Sequence, residues 1–366
     1  MAESKVKLRV LAWPSGANID QNPYAEMTYQ GFDRRRVSVV NFYPSMLAVP
    51  DADIFHIHWP EGIFWGKGER WLPVAAGYAL NVLRIARRVR SGGGLVALTL
   101  HNLHPHTGLS GMRRTLWRHF QQALLGQTDL LISLSGVALD IYRDQHPAAA
   151  AIPAVVIPHP HYRLAYPNAS SREESRRAYG FEPQHRVIGM IGAVRKSKAV
   201  AEAAGVFHAV AQPQERLLIA GACEDDLWEE ITAARRGDER IVMKRGHMDD
   251  QQLNAALSAC DMVLNNQINT LNSATALLAL SANRPLIAPT AGSLIELAEV
   301  VGPEWVALFQ PPLTGTKLRS SIDELAAAER EQDAPLDSFE PGLLSERLLS
   351  VFQQHLGSGR VRGAAS

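Results

Sequence analysis

The chain has 366 residues, 46% of them hydrophobic, and its 37 Lys plus Arg are balanced by 37 Asp plus Glu. That length predicts two domains, and that apolar fraction excludes a disordered chain. Zero net charge argues against a protein that grips nucleic acid by charge alone, and two cysteines, Cys223 and Cys260, exclude a disulfide framework or a four-cysteine zinc site. Two reduced thiols, and a start (MAESKVKLRVLAWP) without the apolar stretch of a signal peptide, predict a cytoplasmic protein. No run approaches the ~20 apolar residues of a membrane span.

In chain order, short apolar runs at residues 8–13, 37–41, 54–58, 95–100, 130–133 and 154–157 predict buried strands, with helices at 74–90 and 112–125. The second half repeats the pattern. Strands are predicted at 187–191, 217–220, 241–244, 262–265 and 286–288, and helices at 199–210, 226–234, 249–259 and 273–282. Such alternation implies parallel sheets covered by helices, one set per half: an α/β chain of two doubly wound, Rossmann-like domains. Pro153, Pro158, Pro160 and Pro167 break the pattern, which predicts a first domain at 1–165, a linker at 166–184 and a second domain at 185–340. An amphipathic helix is expected at 341–357 and a disordered tail at 358–366. Residues 1–165 carry 17 basic and 11 acidic side chains, net +6; residues 166–366 carry 20 and 26, net −6. The basic half predicts an anionic partner, a membrane surface or a phosphorylated substrate, or else attraction between the domains.

Doubly wound domains place ligands at the carboxyl ends of their strands, and the unusual residues of this chain follow strands. Trp13-Pro14-Ser15-Gly16-Ala17-Asn18 follows the first, with Asn22-Pro23-Tyr24 behind it. This is turn chemistry that also offers Trp13, Asn18 and Tyr24 to a polar acceptor. No GxGxxG is present. His56-Ile57-His58-Trp59-Pro60-Glu61 puts two histidines on one face of a strand, a flat Trp59 on which a sugar can stack, and in Glu61 or His58 a group able to take a hydroxyl proton. His101-Asn102-Leu103-His104-Pro105-His106 has three histidines but no nearby carboxylate or thiolate, so no metal is expected. His101 is expected to touch a polar substrate instead.

In the second half, the strand ending at Gly192 is followed by Arg195 and Lys198 just before a helix. Basic residues there oppose the helix dipole, which is explained if an anion such as a diphosphate sits between them. The loop Asn265–Thr275 opens another helix, with Asn272 or Ser273 as its cap. The free N–H groups at Ala274 suit a phosphate, and the asparagines suit ribose or sugar hydroxyls.

With these residues in view, the chain resembles the GT-B glycosyltransferases, in which two Rossmann-like domains face each other across a cleft and the second holds a nucleotide-sugar donor. Gly192, Arg195 and Lys198 match the donor-diphosphate position, and Arg245-Gly246-His247 the loop beside the base. More narrowly it is similar to the bacterial exopolysaccharide β-mannosyltransferases of the GumI family, on Leu11-Ala12-Trp13-Pro14, the HIHWPE segment, Thr99-Leu100-His101-Asn102, Leu271-Asn272-Ser273 and Asn283–Pro289. The resemblance implies a GDP-mannose donor, a polyprenyl-diphosphate-linked oligosaccharide acceptor, inversion, no metal cofactor, and attachment to the inner face of the cytoplasmic membrane. Catalysis would fall to Glu61 or His58. Donor binding would fall to Gly192, Arg195, Lys198, His247, Asn272, Ser273, Ala274 and His101, and acceptor binding to Trp13, Asn18, Tyr24 and Trp59. The two glutamates of the large retaining GT-B family are replaced by Thr270 and Leu278. A UDP-sugar transferase, a nucleotide-sugar epimerase and a non-catalytic nucleotide-sugar-binding partner are the alternatives. Arginines at 84, 87, 88 and 90, and Arg113, Arg114 and Arg118 with Trp117 and Phe120, are the expected membrane-facing groups.

Overall fold

Runs of Val, Ile and Leu that bury both faces form the strands of two parallel six-stranded sheets. The computed structural model describes residues 8–14, 23–66, 70–103, 109–166, 171–268 and 271–363. They divide into one unit of Met1–Pro160 with Ser338–Ser366 and another of His161–Asp337.

The first unit runs β1 (Leu8–Trp13), α1 (Tyr24–Tyr29), β2 (Val37–Asn41), β3 (Ile54–Ile57), a 3-10 turn (Pro60–Phe64), α2 (Trp71–Ser91), β4 (Leu95–Leu100), α3 (Gly111–Leu125), β5 (Leu130–Ser133), α4 (Gly136–Gln145) and β6 (Ala154–Val156). Its strand order is β2-β1-β3-β4-β5-β6, so the connections reverse between β1 and β3. The second unit holds α5 (Arg172–Ala178), β7 (Arg186–Ile191), α6 (Val200–Val210), β8 (Glu215–Gly221), α7 (Asp225–Ala234), β9 (Ile241–Arg245), α8 (Asp250–Ala259), β10 (Met262–Leu264), α9 (Ala274–Ser281), β11 (Leu286–Pro289), α10 (Leu294–Val301), β12 (Val306–Phe309) and α11 (Gly315–Ala327). Its order is β12-β11-β10-β7-β8-β9, with the reversal between β7 and β10. A reversal leaves a crevice at the carboxyl ends of the two strands beside it; the second unit's polar residues collect there, and the first unit's collect next to it, after β3 and β4.

Helix α12 (Pro341–Gly363) belongs to the first unit although it comes last in the chain. Its Leu344, Leu348 and Phe352 share a core with Tyr29, Phe32, Val10 and Ala12 on one face of the first sheet. Its Ser345 hydroxyl accepts a 3.1 Å bond from the Gly31 backbone N–H. The opposite face carries Leu11, Trp13, Phe42 and Phe55 under α2 and α3.

Three expectations change. The first unit ends at Pro160, not 165, and the stretch expected as linker at 166–184 contains α5. That helix starts with a capping box, the Ser171 hydroxyl and Glu174 carboxylate each bonding the other's backbone. Its Arg172 and Arg176 both hold Asp261. The last helix runs through Gly363 instead of stopping at 357. Trp117 and Phe120 point inward and pack with Phe64, while Arg114 and Arg118 are exposed on the flank of the same helix. No helix among the described residues is long and apolar enough to cross a membrane.

Candidate active site

In the first unit the site grows from the ends of β3 and β4. Register pairs His56 with Ala97, so the two-residue period brings His56 beside Thr99 and His58 beside His101. His56 Nε2 lies 2.7 Å from the Thr99 hydroxyl, and His58 Nδ1 lies 3.1 Å from His101 Nε2. The hydroxyl of Tyr29, on α1, bridges His56 Nδ1 at 2.7 Å and His58 Nε2 at 2.8 Å. Burial pushes His58 down to about 3 and His56 well below its usual value, so both imidazoles are neutral. Trp59 stacks on His101, with ring centroids 4.1 Å apart. Tyr24 packs edge-on against both rings and lies tilted against His159.

Pro60 then stops the strand and opens the 3-10 turn that carries Glu61. The Glu61 carboxylate is buried and accepts a 2.6 Å bond from the Asn102 side-chain amide. Burial raises its pKa to about 7 against the opposing pull of that bond. A carboxyl that titrates near neutrality is suited to general base work. It lines a pocket shared with His101, Asn102, Gln121 and Tyr142.

Burial changes the expected parts of Trp13 and Tyr24. Trp13 pairs in register with Ile57, which turns its ring to the other face of the sheet, into the core against Phe42. Tyr24 is buried beneath the site, supporting Trp59 and His101 without offering a surface to an acceptor. His58 is buried and neutral, bonded to Tyr29 and to His101, and lines the same pocket as Glu61. His101, expected to bind the donor, belongs to this first-unit cluster. Trp59 keeps partial exposure. Asn18 lies outside the described residues, as do Asn22, His104, His106, Asn269 and Thr270. Tyr29, Gln121 and Tyr142 were not singled out in the sequence.

In the second unit, glycines end three adjacent strands. Gly192 follows β7 with φ +97, Gly221 ends β8 with φ +150, and Gly246 follows β9 with φ +146. A Cβ on Gly221 would fall 1.9 Å from the Gly192 carbonyl oxygen, so only glycine allows this approach. Lys198 reaches over Gly192, and its Nζ donates a 3.3 Å bond to the Thr275 hydroxyl at the start of α9. Burial, with Arg195 beside it, lowers its pKa to about 8. Arg195 is exposed, and Lys196 between them is turned away by Asp226 and Glu230. Ser273 caps α9 by accepting from the Ala276 N–H, and Ala274 and Thr275 open the helix with N–H groups that lack intrahelical partners. Two cations and a helix N-terminus therefore converge where an anion would bind.

The asparagines of this loop play a different part from the one expected. Asn265 donates to the Ser273 hydroxyl at 2.8 Å, and Asn266 to the Ala199 carbonyl at 3.1 Å, so both tie loops together. Asn272 is half-buried at the mouth of α9, and His247 is exposed beyond β9. Among the described residues no three His, Cys, Asp or Glu side chains converge as a metal site.

No family model matches the chain. The GDP-mannose:glycolipid 4-beta-D-mannosyltransferase of Xanthomonas campestris pv. campestris is 27% identical to it over 331 residues, covering 90% of this chain and 87% of that protein. Among solved structures, a glycosyltransferase from Rickettsia africae matches with TM-score 0.63 at 12% identity, over 96% of this chain and 99% of the other. Anabaena HepE in complex with UDP-glucose matches with TM-score 0.61 at 15% identity, over 96% and 99%. The chain has their fold, the GT-B fold.

Proposed function

We propose that this chain, a glycosyltransferase of the GT-B fold, moves mannose from GDP-mannose onto a polyprenyl-diphosphate-linked oligosaccharide, with inversion, in exopolysaccharide assembly. The observation that carries the donor half is Lys198, held between Gly192 and Thr275 at the start of α9 with Arg195 alongside. The choice of GDP-mannose and a glycolipid is supported by the Xanthomonas relative's name.

In this reading an acceptor hydroxyl oxygen bonds the anomeric carbon as the bond from that carbon to the diphosphate breaks. Glu61 takes the hydroxyl proton, and the electron pair leaves on the β-phosphate of GDP. Lys198, Arg195 and the N–H groups at Asn272–Ala274 neutralise the charge that develops there, a task for which two fixed cations and a helix terminus suffice without a metal ion. The membrane face is the outer side of α2. Leu47 and Leu80 are 85% and 68% exposed, Arg84 bonds the Leu47 carbonyl, and Arg87 is exposed beside it. Apolar side chains beside arginines fit the inner, anionic leaflet of the cytoplasmic membrane.

Calorimetric titration with GDP, UDP and ADP, with and without EDTA, tests the donor. GDP is expected to bind alone and to ignore EDTA. A preference for UDP would discard mannose, and binding of none would favour a non-catalytic role. Conversion of GDP-mannose without acceptor would favour an epimerase.

A further inference from the structure

Five side chains form an unbroken hydrogen-bonded series inside the first unit: Thr99, His56, Tyr29, His58 and His101. All five are buried. A neutral imidazole carries one N–H and one lone pair, and a tyrosine hydroxyl has one hydrogen to give. An arrangement in which Tyr29 accepts from both histidines would leave its own buried hydrogen unmatched; with that hydrogen used within the series, it can run in only two senses. If the Thr99 hydroxyl donates to His56 Nε2, then His56 Nδ1–H donates to Tyr29, Tyr29 donates to His58 Nε2, and His58 Nδ1–H donates to His101 Nε2. His101 then carries its hydrogen on Nδ1. If Thr99 accepts, every bond reverses and His101 carries its hydrogen on Nε2. The Tyr29 hydroxyl is the joint through which one half of the series dictates the other. Leaving any of these groups unmatched in the interior is costly, which favours a single sense.

His101 lies between this series and the reacting side of the unit. Its ring stacks on the half-exposed Trp59, and the next residue, Asn102, holds Glu61. Phe352 of α12 closes the far end against the His56 ring at 5.2 Å. We propose that Tyr29, His56 and Thr99 are positioning residues that hold His101 in one tautomer and one ring orientation for the transfer reaction. The catalytic consequence rests on the transferase reading above; the single tautomer does not.

The test is imidazole 15N NMR of the ligand-free protein, with His101 assigned by the signal lost in His101→Asn, together with steady-state transfer kinetics. The wild type is expected to show His101 as one tautomer. Tyr29→Phe keeps the ring and deletes the joint, so the His101 nitrogens should move towards an averaged pattern. Its kcat should fall about tenfold or more while the donor KM changes less than about twofold. Thr99→Val breaks the far end and should also move the His101 pattern, which keeps the test open if Tyr29→Phe does not fold. An averaged pattern in the wild type, or an unchanged one in the variants, overturns the relay. A moved pattern with unchanged kcat overturns the positioning role. A single tautomer that the variants disturb, in a wild type that transfers nothing from GDP-mannose, upholds the relay and counts against the transferase reading alone.

Discussion

The Asn102 side chain donates a 2.6 Å hydrogen bond to Oε1 of Glu61, joining the segments that follow two adjacent strands. That bond favours the carboxylate, burial favours the acid, and burial wins, leaving the group near 7. A base must be ionised to act, so kcat/KM for transfer should rise with pH through about 7 and fall again above about 8, where Lys198 loses its charge. Asn102→Ala removes the opposing pull and should carry the rising limb to higher pH. Glu61→Gln should abolish that limb and cut turnover by about a hundredfold or more, leaving GDP titration unchanged. Full turnover in Glu61→Gln would remove Glu61 from the chemistry.

The same carboxyl should mark stability. Its folded pKa of about 7 lies above the unfolded value of 4.5, so the folded state holds the proton more tightly. Its contribution is fully present below the unfolded value and is lost as pH rises through about 7, by about 3 kcal/mol over the whole window. Glu61→Gln stays neutral and keeps an oxygen to accept from Asn102. Urea unfolding should therefore show wild type losing stability relative to this variant between acid and mildly alkaline pH. Parallel curves would mean that water reaches the carboxylate when it ionises.

The parallel sheets and most strand positions were legible in the sequence, because strands buried on both faces leave continuous runs such as Leu95–Leu100. The meeting of Gly192 and Lys198 at the end of β7 was legible too, since the two lie close together in the chain. The first-unit network was not. Tyr29 sits on a six-residue helix with no motif around it, and its importance comes from meeting two histidines of another element. Trp13 was misread because a ring at a strand end faces either side, and only pairing with Ile57 fixes which. The stretch at 166–184 was read from its prolines, while the Ser171–Glu174 capping box signals a helix there.

Lys198 predicts a proton count. Its pKa of about 8 leaves a fraction of the protein without that charge near pH 8. A bound diphosphate favours the ammonium, so GDP should bind with uptake of a fraction of a proton near pH 8, and affinity should fall as pH rises past it. Calorimetry in two buffers of different ionisation heat measures this directly. Lys198→Gln should lose the uptake and weaken GDP by about tenfold to a hundredfold. Uptake that persists in the variant would place the titrating group elsewhere.

The face of α2 predicts a lipid dependence. Leu47→Ser with Leu80→Ser removes its most exposed apolar groups, and Arg87→Glu reverses a charge beside them. In flotation with anionic vesicles, each change should reduce the bound fraction, while neutral vesicles should bind little of any form. GDP binding, which the proposed function assigns to the second unit, should be unaffected. Equal flotation of wild type and the double variant would move the membrane surface away from this helix.

Gly221 tests whether the glycine ends of β7 and β8 form one device. Its φ of +150 is a conformation that side-chain-bearing residues rarely adopt, and an added Cβ would overlap the Gly192 carbonyl oxygen. Neither contact is a flexible side chain, so the backbone itself must move. Gly221 also accepts the Gly246 N–H at 3.1 Å, so the displacement reaches the end of β9. Gly221→Ala should lower unfolding stability by about 2 kcal/mol or more through strain and overlap. It should also weaken GDP disproportionately, because Gly192 lies directly beneath Lys198. Gly205→Ala, on α6 with open space around it, is the control: it should raise stability by up to about 1 kcal/mol through helix propensity and leave GDP binding unchanged. Loss of GDP binding in Gly221→Ala at a temperature where circular dichroism is still native would locate the donor diphosphate at this turn. Native-like GDP affinity in that variant would place it elsewhere in the unit.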